Sequence, residues 1–290
     1  MDKRKIFPTV KKQTSMIASS LVTPLLQDEA RVFALRLQGD PAWLIPFHNY
    51  YTETELVQAK RLMRKDAAEE FLAGHILIHL FLQKNQGLPC QDFAKGPFGK
   101  PYHAQSNCSF SLSHAHHLVL AAFTINTAIG IDIEKIEAEK ESFLHFPFFH
   151  PQERKALLAS SDQNAAAYRV WTRKEALVKA LGRGFTLHPG LFQVSADLAP
   201  KNWLITVPPV SKGKEKKNAD NHNSFPSDPH DWTCLDLHVN QGYQASIAIA
   251  DKRRHITFFF LDRNALLHSF NPHPPIPRDN VPLGSGASHS

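Results

Sequence analysis

Two short stretches hold side chains whose types and spacing suit work on a metal-bound anion. Gly130-Ile131-Asp132-Ile133-Glu134 alternates apolar and acidic residues with period two. In a β-strand this places Ile131 and Ile133 on one face and Asp132 and Glu134 on the other. Two residues along a strand span roughly 6–7 Å, so both carboxylates can address one divalent cation. After about forty intervening residues comes Trp171-Thr172-Arg173-Lys174-Glu175-Ala176-Leu177-Val178-Lys179-Ala180-Leu181-Gly182-Arg183-Gly184. This stretch has helical spacing, and Glu175 and Lys179, four apart, project from one helix face. Convergence of Asp132, Glu134 and Glu175 with Lys174 and Lys179 would suit Mg²⁺ carrying a pyrophosphate. The hard oxygens would hold the metal and the ammonium groups the remaining charge. Taken singly, the first stretch is an ordinary solvated strand face and the second an exposed, salt-bridged helix.

Taken together, with Trp171, Gly182 and Gly184, they are more specific. The pair resembles the signature of the 4′-phosphopantetheinyl transferases, in particular the larger, single-chain type that activates surfactin synthetase. That pattern is Gly-Ile/Val-Asp-x-Glu followed by Trp-x-x-Lys-Glu-Ala-x-x-Lys-x-x-Gly-x-Gly. The resemblance covers roughly residues 31 to 261. It implies an α+β fold of two similar halves, a pseudo-dimer in one chain, with coenzyme A in the cleft between them. The implied reaction moves 4′-phosphopantetheine from coenzyme A to a serine of an acyl or peptidyl carrier protein and releases adenosine 3′,5′-bisphosphate. Asp132, Glu134 and Glu175 then match the Mg²⁺ ligands, with Glu175 also the candidate base. Lys174 and Lys179 match the pyrophosphate-flanking bases, Lys179 stabilising the charge that builds in the reaction. Gly99-Lys100-Pro101 and Phe110-Ser111-Leu112-Ser113-His114 match a further motif, so Lys100, Ser113 and His114 are implied nucleotide-phosphate contacts. A lysine charge, a hydroxyl and an imidazole can each bond a phosphate oxygen. Trp171 reads as a core anchor, and Gly182 and Gly184 as the helix stop.

One helix departs from the pattern. Where the family often has an arginine four residues before a glycine, this chain has Glu70 before Gly74; at a second arginine position it has His79. Glu70 beside a ribose 3′-phosphate would repel it. Either Arg64, Lys65 or another base makes that contact, or the phosphate is held weakly. These two residues are the support for a rival reading, a non-catalytic coenzyme A- or carrier-binding homologue. A Mg²⁺ phosphotransferase acting on a small molecule is a further rival, with no acceptor motif of its own.

Composition bounds the partners. The 290 residues carry a net charge of +6, but residues 1–12 hold a net +4 and residues 211–217 a net +3. The remaining body is near neutral, which argues against nucleic acid. No apolar run approaches the roughly 18 residues that cross a bilayer. Three cysteines, Cys90, Cys108 and Cys234, have no paired or metal-ligand spacing, which suits a reducing cytoplasm. His114, His116 and His117 have no suitably spaced fourth ligand for zinc. A pseudo-dimer would make a monomer sufficient.

The elements that must position these residues can be read in order. Residues 1–28 read as a disordered leader. Residues 29–128 form a first half: a strand over 31–37, a helix from a Thr52–Glu55 capping box to about Met63, and a helix from about Asp66 to Asn85 stopped by Gly87. Strands over 109–113 and 118–125 flank a histidine-rich turn. Residues 129–265 form a second half, with the acidic strand, helices over 151–158 and 168–181, and strand candidates over 192–195, 203–207, 233–239, 243–250 and 256–261. Within it, 208–232 reads as a flexible insertion, and 266–290 as a disordered tail. Carrier proteins of this kind are acidic, so Arg173, Arg183 or the basic insertion would steer them.

Overall fold

The strands follow the period-two patterning and the helices their caps. The computed structural model describes residues 9–10, 21–39, 41–137, 147–198, 200–207, 225–252, 255–262 and 266–267. In chain order these hold β1 (Thr9–Val10), β2 (Glu29–Arg36), a 3₁₀ segment (Pro41–Tyr50), α1 (Glu53–Arg61) and α2 (Lys65–Gln86). Next come a small hairpin of β3 (Ala94–Lys95) and β4 (Pro101–Tyr102), then β5 (Cys108–Ala115), β6 (Leu118–Ile125) and β7 (Ile129–Lys135). The remainder is α3 (Pro151–Leu158), α4 (Gln163–Leu181), β8 (Thr233–Leu237), β9 (Tyr243–Ile249) and β10 (His255–Asp262). The architecture is mixed α+β.

Local chemistry sets the helix ends. At α1 the capping box forms in both directions: Thr52 accepts from the Glu55 N–H and Glu55 accepts from the Thr52 N–H. α2 stops at Gly87 with φ 66° and α4 at Gly182 with φ 65°, the left-handed conformation that glycine adopts without a Cβ penalty. α4 begins earlier than its apolar periodicity suggests. Asp162 accepts from the Ala165 N–H, and the small residues of the first turn carry no apolar period to read.

The strands form two main sheets. One has the order β1-β10-β2-β6-β5 and the other β7-β9-β8. α2 packs on the first through Phe33, Leu77, Phe81 and Phe123; α4 packs on the second through Ala176, Leu177, Ala180 and Ala248. Between the sheets lies a shared core that includes Val32, Leu120, Ile131, Ile247 and Phe258. β5 and β7 run beside each other without a backbone ladder. Instead the Ile131 and Ile133 N–H groups donate to Ser111 Oγ and Ser113 Oγ at 3.1 and 3.3 Å. These hydroxyls satisfy donors that would otherwise be buried unpaired.

Several expectations are revised. Within the expected leader, Thr9–Val10 pairs with β10 and Leu21 is fully buried. β10 pairs in parallel with β2, so sheet membership crosses the expected division at residue 129. The candidates 192–195 and 203–207 reduce to a single bridge, Val194 to Leu204. Residues 208–224 of the insertion lie outside the described residues. Its end is packed, with Trp232 buried and donating to Pro226 O. Leu266 is also buried and Leu267 packs against the first core; residues 268–290 of the tail lie outside the described residues. Among the described residues, no helix is long and apolar enough to cross a membrane.

Candidate active site

The site begins with a glycine. β7 turns its isoleucines into the shared core, so Gly130, Asp132 and Glu134 face the other way. A Cβ on Gly130 would lie 1.9 Å from Ala176 O and 2.3 Å from Ala180 N, both on α4. Only a bare backbone lets α4 approach this closely, and that approach brings Lys179 to Asp132. Lys179 Nζ lies 2.7 Å from Asp132 Oδ1 and 3.0 Å from Ser113 Oγ. Ser113 Oγ donates to the same Oδ1 at 2.9 Å. The buried Oδ2 has no hydrogen-bond partner among the described residues. Asp132, Ser113 and Lys179 thus meet, one from each of three elements.

Glu134 and Glu175 complete a negative cluster. Glu134 is pushed up to about 7 by burial and by the charge of Asp132, against the Trp171 hydrogen bond and Lys179. Glu175 is raised by burial and by Asp132, and lowered by Lys179. The repulsion places all three carboxylates in one electrostatic neighbourhood, with Lys179 the cation acting on it. Among the described residues, no three His, Cys, Asp or Glu side chains form a ready-made metal cage. Asp132 is instead held by Lys179 and Ser113, and Glu134 by Trp171. The orphaned, buried Asp132 Oδ2 is a hard oxygen donor of the kind a divalent cation takes.

Trp171 is more than the core anchor expected of it. Its Nε1–H donates to Glu134 Oε1 at 3.2 Å. Trp171, Glu175 and Lys179 are spaced four apart, so one helix face carries all three; that spacing was the available signal.

The expectation that Lys174 joins this cluster fails. Its ammonium is buried on the far side of α4, paired with Glu153 at 2.9 Å and donating to Pro189 O and Phe192 O. All three of its hydrogens are committed. Arg173 is similarly taken, by Asp236 and by the Ser195 and Asp197 carbonyls, and offers a partner no charge. Lys100 is placed beside the cleft, yet Nζ donates to Ile129 O at 2.8 Å and Ala180 O at 3.3 Å. It ties the start of β7 to the end of α4, and burial brings it down to about 8.

His114 sits past Leu112 on the same face of β5, with Nδ1 2.9 Å from Glu70 Oε2. The other Glu70 oxygen accepts from the His117 N–H at 2.6 Å. Burial works to raise Glu70, but the hydrogen bonds from His114 and His117 outweigh it and leave its carboxyl lowered. His116 and His117 have φ of 43° and 65°, a two-residue turn with both residues left-handed and no glycine. Glu70 and the Tyr243 hydroxyl, which donates to His116 O, hold this strained turn. His79 is buried and bonded to Glu55.

A cavity of about 420 Å³ opens between α2, β5 and α4. Ile78, Phe93, Leu112 and Val178 make it largely apolar, and Glu175 and Lys179 stand on its wall.

The sequence profile of the 4′-phosphopantetheinyl transferase superfamily matches residues 128–248, which carry Asp132, Glu134, Glu175 and Lys179. The chain is 34% identical over 147 residues to 4′-phosphopantetheinyl transferase gsp of Aneurinibacillus migulanus, covering 49% of this chain and 58% of the relative. It is 31% identical over 169 residues to 4′-phosphopantetheinyl transferase HetI of a Nostoc species, covering 55% and 71%. To 4′-phosphopantetheinyl transferase Sfp of Bacillus subtilis it is 27% identical over 202 residues, covering 63% and 87%. The alignment thus spans less than two thirds of the first of these relatives. The chain belongs to the 4′-phosphopantetheinyl transferase superfamily. Its likeness to gsp and Sfp is to the surfactin-activating type.

Proposed function

We propose that this protein transfers 4′-phosphopantetheine from coenzyme A to a serine of an acyl or peptidyl carrier protein, releasing adenosine 3′,5′-bisphosphate. The observation that carries the reading is the junction of Asp132, Ser113 and Lys179 beside the cavity, within the segment matched by the family profile. Asp132, through its orphaned Oδ2, would hold Mg²⁺ with Glu134 and Glu175. When bound, the ion supplies charge neutralisation on the pyrophosphate. Lys179 binds the pyrophosphate oxygens and stabilises the charge left on the departing phosphate. His114 contacts phosphate and the apolar cavity takes the pantetheine arm, while Ser113, its hydroxyl filled by Asp132, Lys179 and the Ile133 N–H, holds the aspartate and the lysine in place. Lys100 positions β7 and α4 rather than the phosphates.

The carrier serine oxygen forms a bond to the phosphorus that bears pantetheine. The bond from that phosphorus to the bridging oxygen of the pyrophosphate breaks. The serine proton passes to Glu175, whose raised affinity for protons suits a base. The electron pair leaves with adenosine 3′,5′-bisphosphate.

A pseudo-dimeric origin is supported by one recurring feature: each sheet carries a long helix ended by a left-handed glycine. The site is assembled within one chain, so a monomer suffices. Arg183, lying over the Phe98 ring beside the cavity, is the candidate for steering an acidic carrier. The three cysteines are free, which suits the cytoplasm. The non-catalytic reading loses its motive, because Glu70 and His79 are both bonded inside the fold.

The test is mass spectrometry of an apo-carrier protein incubated with coenzyme A, Mg²⁺ and this protein. A mass gain equal to phosphopantetheine is expected, and it should vanish with EDTA. No gain with carriers from fatty-acid, polyketide and peptide synthesis would refute the proposal.

A further inference from the structure

Glu70 lies one turn before Gly74 on the first half's long helix, the helix that also contributes Ile78 to the cavity wall. An anion there would repel a phosphate if it faced one. It does not. Glu70 is buried, and both its oxygens are engaged from β5 and its turn: one with His114 Nδ1 at 2.9 Å, the other with the His117 N–H at 2.6 Å. His114 is the partly exposed member, with 37% of its side-chain surface accessible against 7% for Glu70. With Nδ1 occupied, Nε2 is the nitrogen left for a ligand. His114 shares the β5 face of Leu112, which lines the cavity, while Ser113, the next residue back, bonds Asp132 and Lys179 on the other side of the strand.

We infer that Glu70 is a positioning residue: its carboxylate takes the Nδ1–H of His114 and so turns Nε2–H toward a phosphate of coenzyme A. The negative charge reaches the ligand only through the ring, as a carboxylate does when it orients a histidine at a metal centre. A hydrogen bond from the ring to an ionised phosphate oxygen is charge-assisted. The inference rests on the proposed function, because it needs coenzyme A as the ligand.

Two accounts of Glu70 predict opposite signs. Direct repulsion predicts that Glu70→Gln tightens coenzyme A binding. Positioning predicts that it weakens binding by about tenfold, the worth of one charge-assisted hydrogen bond. Glutamine keeps an acceptor for the His117 N–H, so the turn survives. The experiment is calorimetric titration of the full chain with coenzyme A, together with transfer kinetics, for wild type, Glu70→Gln, His114→Asn and the double variant. His114→Asn changes a half-exposed side chain and supplies a folded reference if Glu70→Gln does not fold. The expected result is weaker binding and a raised KM in each single variant, kcat within about twofold, and a double variant no worse than His114→Asn alone. Tighter or unchanged binding in Glu70→Gln would overturn the inference. So would additive losses, or wild-type binding by His114→Asn. Wild type that binds no coenzyme A would remove the functional reading and the inference with it; binding by wild type with any of the other contrary results removes the inference alone.

Discussion

The two oxygens of Asp132 have different fates: Oδ1 is shared by Lys179 and Ser113, and the buried Oδ2 has no protein partner among the described residues. Burial, and then the charge of Asp132, push the Glu134 carboxyl up to about 7. A carboxyl whose folded pKa exceeds its unfolded value stabilises fully below the unfolded value, and that stability is lost as pH rises through the folded one. Without divalent cations, wild type should therefore lose stability between about pH 4.5 and pH 8. Glu134→Gln removes part of the loss and should be more stable than wild type at pH 8, on the order of 1–2 kcal/mol, and similar to it near pH 4.5. Urea unfolding at the two pH values reads this; an unchanged slope with pH would show that Glu134 is not strained by its neighbours. Lys174 is the contrasting case. Lys174→Met strands the buried Glu153 carboxylate and should cost about 3 kcal/mol, while the KM for coenzyme A of the folded protein stays the same. A raised KM with unchanged melting would restore Lys174 to the phosphates. The carboxylates and Lys179 were legible in the sequence because strand alternation and fourfold helix spacing fix faces. The partners of Lys174, Lys100 and Glu70 were not, since each comes from an element far along the chain that no local period reveals.

At the scale of elements, the site depends on one contact between β7 and α4. Gly130 lies under Ala176 and Ala180 with no room for a methyl group, and the atoms it would meet are backbone. Gly130→Ala must push the helix away, costing about 3 kcal/mol and separating Lys179 from Asp132. Thermal melting should fall by several degrees, and transfer should fall with it; a variant that melts like wild type would mean the close approach is not required. The helices themselves were read from caps: Thr52 with Glu55, Gly87 and Gly182 all stand where expected. The start of α4 was missed because its first turn is alanine-rich. The strands that shrank to the Val194–Leu204 bridge show the limit of short apolar runs, which mark burial without saying whether a ladder partner exists.

For the whole molecule, the telling feature is how the two sheets are joined. They share a core of aliphatic and aromatic side chains, and β5 meets β7 through serine hydroxyls rather than a ladder. Ser113 therefore serves twice, closing the seam and bonding Asp132. β10 returns to lie between β1 and β2, so the chain's last described strand completes the sheet built by its first residues. Long-range parallel pairing of this sort leaves no trace in local sequence, and the expected division into consecutive halves could not anticipate it. We propose that this seam holds a coenzyme A pyrophosphate for transfer. Its most direct test is single-turnover mass spectrometry of an apo-carrier protein with coenzyme A and Mg²⁺, comparing wild type with Asp132→Ala at equal folded concentration. A phosphopantetheine-sized gain is expected with wild type and none with Asp132→Ala on the same timescale; no gain with wild type, or an equal gain with both, would refute the proposal.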